Sequence, residues 1–111
     1  MNNIPLCIPY LTGLEEQYVN DSIKSGWVSS VGPQVDQFEK DFSKFIGSTK
    51  SVALSSGTSA IHLSLILSGV KESDEVLVPS LTFIAPINCV KYVGANPVFI
   101  DVNYTTGQID V

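Results

Sequence analysis

Short apolar strands alternate with apolar helices through the second half of this chain, and that alternation constrains its fold most. We predict strands over 50–55, 75–80 and 96–102, and helices over 58–68 and 83–93. Strand–helix–strand order at this spacing is typical of parallel βαβ units, and apolar residues surround both helices on nearly all sides. The sequence therefore predicts a layered α/β fold with a parallel sheet between helices.

The first half of the chain carries local helix signals. Residues 1–13, punctuated by prolines, are expected to form an extended arm, and residues 14–111 an incomplete α/β domain. Thr12 is a plausible N-cap, and Glu15 follows three residues later, which is capping-box spacing for a helix ending near Ser25. Pro33 suits the start of a second helix, which ends before a glycine. Its apolar residues share one face, at Val35, Phe38, Phe42, Phe45 and Ile46.

Charge and composition exclude several kinds of function. The net charge is −5 and all six basic residues are lysines, which argues against a nucleic-acid surface. Without arginine, a phosphate site must use backbone N–H groups, hydroxyls or a lysine. Cys7, Cys89 and His62 have no metal-ligand spacing, so no metal site is expected. No signal peptide is recognisable and no apolar run reaches the ~20 residues of a membrane helix, so we expect a soluble, cytoplasmic protein.

The stretch LSSGTSAIHLSLIL, residues 54–67, places a cluster of small residues where a helix begins. Free N–H groups at a helix N-terminus favour anions. Gly57 would allow close approach, and Ser56, Thr58 and Ser59 would add hydroxyls. The same residues could equally form an ordinary N-cap.

A second informative stretch is VPSLTFIAPINCV, residues 78–90. Thr82 and Phe83 follow a predicted strand, at the edge where ligands of open α/β sheets bind. The Phe83 ring could stack on a planar ligand or anchor the following helix in the core. The residues alone leave both interpretations open.

Taken in order, the stretches GWVSSVGPQVDQFEKDF, SSGTSAIHL and DEVLVPSLTFIAPINCVKYVGANPVFIDV resemble the opening part of the pyridoxal-phosphate-dependent nucleotide-sugar aminotransferases, the DegT/DnrJ/StrS group. The resemblance runs from about Ile8 to Asp110. It implies the N-terminal part of the large domain of an aspartate-aminotransferase-like, fold type I enzyme, with three α/β/α layers. It further implies pyridoxal 5′-phosphate as cofactor, a nucleotide-sugar substrate, an amino-acid donor and a homodimer.

The resemblance also implies roles for particular residues. Gly57, Thr58 and Ser59 match the cup for the cofactor phosphate, and Phe83 matches the aromatic residue that stacks on the cofactor ring. Trp27 and Ser29 belong to a loop that resembles the sugar-substrate side of the active site.

No catalytic residue is assigned, because the resemblance implies that the cofactor-binding lysine of this family lies well beyond these 111 residues. The six lysines present here are expected at helix surfaces, turns or the start of a strand. We therefore expect the chain to be the front part of a longer enzyme and inactive alone. One alternative is a dehydratase on the same scaffold, in which another base replaces that lysine. A second is a non-catalytic interaction module.

Overall fold

The computed structural model describes residues 4–5 and 7–110. The helices and strands among them are α1 Leu14–Ser25, α2 Pro33–Ile46, α3 Gly57–Leu67, β1 Glu75–Pro79, α4 Ile84–Tyr92 and β2 Asn96–Ile100. They fall into two compact units that meet in sequence between Ala53 and Leu54. Within the predicted arm, residues 4–5 and 7–12 contain no helix or strand. Its residues 1–3 and 6 lie outside the described part of the chain.

Helix α1 begins one residue later than the capping box predicts. Gly13, at φ +94°, occupies the N-cap position, so the prediction of Thr12 as N-cap is wrong by one residue. The other half of the box forms, because the Glu15 carboxylate accepts the N–H groups of Thr12 at 2.9 Å and Gly13 at 3.0 Å. At the other end Gly26 adopts the left-handed conformation, as its position predicts.

Helix α2 starts at Pro33 and ends before Gly47, as predicted. Phe38 and Phe42 stack with ring centroids 5.8 Å apart, which confirms that the apolar residues share a face. That face is open within the first unit, where Phe45 is 87% exposed. The helix is therefore amphipathic, but its apolar face is not buried by the residues of its own unit.

The strand predicted over residues 50–55 is not present. Two side chains of α2 form hydrogen bonds with this segment. Ala53 N–H donates to Glu39 Oε1 at 2.7 Å, and the Ser43 hydroxyl donates to Ser51 Oγ at 2.9 Å. Its composition suits a strand, but among the described residues no strand pairs with it.

The second unit contains the predicted parallel βαβ arrangement. Strands β1 and β2 pair in parallel from Glu75↔Asn96 to Pro79↔Ile100, and α4 connects them. The third predicted strand is shorter than expected, because Val102 pairs instead with Ile109 in an antiparallel bridge. The core consists of buried Val78, Val90 and Ala95 with partly buried Leu65, Val70, Val76, Ile87 and Val93 against them.

Helix α3 is less buried than its apolar sequence predicts. It packs against α4, yet none of its residues is fully buried within the described part of the chain. Ile66 is 51% exposed and Leu67 78% exposed. The apolar residues of α3 point to all sides of the helix, whereas α4 covers only one side. The expected burial is therefore not reached.

Candidate functional site

The N-terminus of α3 is capped, and the cap leaves two backbone N–H groups without a hydrogen-bond partner among the described residues. Ser56 is the N-cap residue, with extended φ −160° and ψ 159°, and its hydroxyl accepts the Ser59 N–H at 3.1 Å. Its carbonyl accepts the Ala60 N–H at 3.1 Å. Because the first N–H groups of a helix have no partner within the helix, those of Gly57 and Thr58 stay available at its positive end.

The cap also involves the Ser59 side chain. Ser56 Oγ and Ser59 Oγ share a hydrogen bond of 3.0 Å. Both the amide and the hydroxyl of Ser59 are therefore engaged by Ser56. The N-cap and the anion-binding interpretations of this stretch are thus compatible, since capping uses Ser56 and Ser59 and leaves Gly57 and Thr58.

A cavity of about 400 Å³ lies where the N-termini of α3 and α4 meet within the second unit. Gly57 and Thr58 line it from α3, and Phe83 lines it from the start of α4. Its other lining residues are Ile61, Thr82, Ile84, Ala85 and Pro86. The structure thus brings together three of the four residues expected to bind the cofactor, whereas Ser59 does not line the cavity.

Phe83 does not anchor the core of its unit. It is the N-cap residue of α4, in an extended conformation, and it is 84% exposed. Pro86 lies in the first turn of α4, where a proline removes no helical hydrogen bond. The Phe83 ring is therefore available to a ligand in the cavity.

Two contacts hold α3 against α4 near this cavity. The Cys89 thiol donates to the Thr58 carbonyl with a sulfur–oxygen distance of 3.3 Å, and Cys89 is completely buried. Farther along, the rings of His62 and Tyr92 meet edge to face at a centroid distance of 5.5 Å. His62 is half-buried and supports helix packing, in keeping with its position in an apolar helix. Sequence reasoning missed the Cys89 contact. It placed Thr82 at the ligand-binding edge of the sheet, where Thr82 lines the cavity, but gave it no role.

Trp27 and Ser29 line a different cavity, of about 460 Å³, within the first unit. It is formed by residues of α1, the loop after it and the start of α2. The loop packs on itself here, since a Cβ at Gly32 would lie 3.2 Å from the Trp27 indole. Gly32 has φ +145° and ψ 172°, a conformation that glycine alone adopts easily.

Among the described residues, no charged side chain lines either cavity, so the electrostatic preference of each comes from backbone groups. A shifted pKa is found at the α1 cap instead, where hydrogen bonds from the Glu15 and Thr12 amides lower the pKa of the Glu15 carboxyl from its usual value.

Residues 4–5 and 7–110 contain no group of three His, Cys, Asp or Glu side chains that could hold a metal ion. Of the helices described, none is long and apolar enough to span a membrane.

Fold and site together define an α/β chain with a ligand cavity at the N-termini of two helices, one capped by serine and one by an exposed aromatic residue. Residues 9–111 match the DegT/DnrJ/EryC1/StrS aminotransferase family, and the chain belongs to this family. It is 43% identical to GDP-perosamine synthase of Escherichia coli O157:H7 over 111 residues, which are all of this chain and 30% of that protein.

Solved structures agree with this assignment. Spr1654 from Streptococcus pneumoniae, in its PLP-form, matches with a TM-score of 0.83 and 36% identity over 98% of this chain and 28% of that chain. E. coli GDP-4-keto-6-deoxy-D-mannose-3-dehydratase with bound hydrated PLP matches with a TM-score of 0.83 and 28% identity, over 99% of this chain and 30% of that one. The predicted family and the predicted fold type I α/β class are confirmed. The chain spans about 30% of the length of the curated relatives it matches.

Proposed function

We propose that this protein transfers an amino group from an amino-acid donor to a keto-sugar attached to a nucleotide, with pyridoxal 5′-phosphate as cofactor. Membership of an aminotransferase family supports the reaction class. The similarity to GDP-perosamine synthase supports a nucleotide-sugar substrate. The single observation that carries the proposal is the cavity that Gly57, Thr58 and Phe83 line together.

The cavity suits a small phosphorylated aromatic compound. Its volume of about 400 Å³ lies within the range of roughly 300–1,000 Å³ that is usual for small-molecule sites. One wall offers the free N–H groups of Gly57 and Thr58, which favour an anion. The other offers the exposed Phe83 ring. When bound, pyridoxal phosphate would supply an electron sink for the carbanion formed at the amino-bearing carbon.

Each residue of the site then has a physical role. The N–H groups of Gly57 and Thr58 and the Thr58 hydroxyl hold the phosphate, which arginine does not bind here because the chain has none. Ser59 supports the cup by fixing Ser56 in the cap, and its hydroxyl can exchange that partner for a phosphate oxygen. Phe83 orients the ring by stacking.

Substrate binding is assigned to the first unit. Trp27, 52% exposed, presents an apolar surface on which a sugar ring can lie, and Ser29 lines the same cavity with a hydroxyl. The chain's residues thus bind and orient cofactor and substrate. The six lysines line neither cavity, so we assign the catalytic lysine to none of them. We also propose that the protein acts as a homodimer.

The cup is tested by substituting Thr58 in the native protein. Thr58→Val keeps the volume and removes the hydroxyl, whereas Thr58→Ser keeps the hydroxyl. We expect Thr58→Val to weaken pyridoxal phosphate binding by about 1.5–3 kcal/mol, or about 10- to 150-fold in Kd, as for a lost hydrogen bond to a charged group. Thr58→Ser should bind almost as wild type does. Equal affinity of all three proteins would leave only a plain N-cap.

A second candidate function is a sugar dehydratase on the same scaffold. The observation that favours it is the E. coli dehydratase, whose structure matches with the same TM-score, 0.83, as Spr1654. Borohydride reduction of the native protein with bound cofactor separates the two. Covalent retention of the cofactor indicates a lysine-bound cofactor and supports the aminotransferase. Loss of the cofactor on denaturation after reduction supports the dehydratase.

A further inference from the structure

Thr82 is a lining residue of the cavity with a hydroxyl on its side chain, and the assignments above leave it unused. It lies in the irregular segment between β1 and α4 and is exposed. It lines the cavity together with Thr58 and Phe83. The remaining side chains of this lining are apolar, at Ile61, Ile84, Ala85 and Pro86. Of the described lining residues, Thr58 and Thr82 therefore supply the hydroxyls.

The two hydroxyls stand on different parts of the cavity. Thr58 belongs to the first turn of α3, next to the free amides, whereas Thr82 immediately precedes Phe83. A planar ring that lies on the Phe83 side chain presents its edge to the residues that flank Phe83. Of the two flanking residues, Ile84 is apolar and Thr82 carries a hydroxyl.

Desolvation makes such a partner necessary. A polar ring substituent that leaves water without a hydrogen bond loses free energy. Small-molecule sites meet this need with a few well-placed polar groups in a mainly apolar lining. The Thr82 hydroxyl meets this description on the Phe83 side of the cavity, as the amides of α3 do on the phosphate side.

We propose that Thr82 is a cofactor-binding residue whose hydroxyl forms a hydrogen bond with a polar group on the ring of pyridoxal phosphate, not with its phosphate. This inference rests on the proposed function and adds a ring contact to the phosphate cup. The two threonines then bind different parts of the cofactor, since Thr58 binds the phosphate and Thr82 binds the edge of the ring.

The test compares Thr82→Val and Thr82→Ser with Thr58→Val in the native protein, titrated with pyridoxal phosphate. Two quantities are measured, the Kd and the wavelength of maximum absorbance of the bound cofactor. A hydrogen bond to the ring perturbs the chromophore, whereas one to the saturated phosphate arm does not. We expect Thr82→Val to raise Kd about 2- to 12-fold, as for a lost neutral hydrogen bond, and to move the absorbance maximum. Thr82→Ser should restore both, and Thr58→Val should raise Kd without moving the maximum.

The inference is overturned if Thr82→Val leaves Kd unchanged, or raises Kd without moving the maximum. Because Thr82 is exposed, the substitution removes no core contact, and Thr82→Ala serves with the same expectations if the valine variant does not fold. Failure of the wild-type protein to bind pyridoxal phosphate would overturn the proposed function itself. Wild-type binding with an unaffected Thr82→Val variant would overturn the role of Thr82 alone.

Discussion

Gly57→Ala separates the stability of α3 from ligand binding at its N-terminus. Gly57 is the first residue of α3, and its φ is not among the positive values found at other glycines. A Cβ built on it meets no atom within 4 Å. Alanine therefore fits the backbone and the space, and it lowers the conformational entropy of the unfolded chain. We expect the ligand-free protein to gain up to about 0.5–1 kcal/mol of stability.

The same methyl group should weaken cofactor binding. Gly57 lines the cavity with its backbone, so the space that is empty for a Cβ borders the space from which a phosphate must approach the amides. Displacing the phosphate from one of these N–H groups costs about 1.5–3 kcal/mol, the value of a hydrogen bond to a charged group. We therefore expect the Kd for pyridoxal phosphate to rise about 10- to 150-fold.

The assay combines a thermal melt of the ligand-free native protein with a fluorescence titration of pyridoxal phosphate. Ser64→Ala is the matched control, because Ser64 is an exposed residue of α3 outside the cavity lining. It should raise helix propensity without changing Kd. Unchanged affinity of Gly57→Ala would refute the phosphate cup, and a loss of stability would refute the description of the α3 N-terminus.

Three further predictions concern Phe83, Gly32 and Glu15. Phe83→Ala should raise the Kd for pyridoxal phosphate about 2- to 12-fold, the worth of an aromatic contact, with little change in the melting midpoint because the ring is 84% exposed; an unchanged Kd would refute stacking. Gly32→Ala should destabilise the protein by about 1–3 kcal/mol in denaturant unfolding, because φ is +145° and the Cβ would press on Trp27 at 3.2 Å; wild-type stability would contradict this. The pKa of the Glu15 carboxyl is lowered from its usual value of 4.5. The hydrogen bonds that this carboxylate accepts from the Thr12 and Gly13 amides are therefore fully present above pH 4.5. They are lost as the pH falls through the lowered pKa. The NMR shifts of these two amides should therefore titrate below pH 4.5, and Glu15→Gln should abolish that titration; a midpoint at or above 4.5 would contradict the cap geometry.

Local signals in the sequence predicted the helices well. Proline at the start of α2 and glycine after α1 and α2 act on the backbone within one turn, so the ends of these helices follow from neighbouring residues. The parallel pairing of β1 and β2 agrees with the strand–helix–strand pattern for a similar reason, since the connection between parallel strands has a narrow range of geometries.

Features that depend on distant residues could not be predicted. Residues 50–55 have the composition of a strand, but a strand requires a partner, and here Glu39 and Ser43 of α2 bind the segment instead. Likewise, the sequence could not decide whether Phe83 is a core residue, because that depends on what packs against it. The Cys89–Thr58 hydrogen bond joins residues 31 positions apart, and only the packing of α4 on α3 brings them together.

For the candidate site, the order of three motifs was more informative than any one of them. Ser-Gly-Thr-Ser before a helix fits a simple N-cap, and the structure shows that cap at Ser56. The cavity adds what the sequence could not, namely that Gly57, Thr58 and Phe83 face one space while Ser59 does not. The roles of these residues in binding the cofactor stay predictions.

The central claim is that the N-terminus of α3 holds the phosphate of pyridoxal phosphate. A crystal structure of the native protein grown with this compound tests the claim most directly. We predict phosphate oxygens at ~3 Å from the backbone nitrogens of Gly57 and Thr58, with the ring lying on Phe83. A phosphate bound elsewhere, with the amides of Gly57 and Thr58 left to water, would contradict the account.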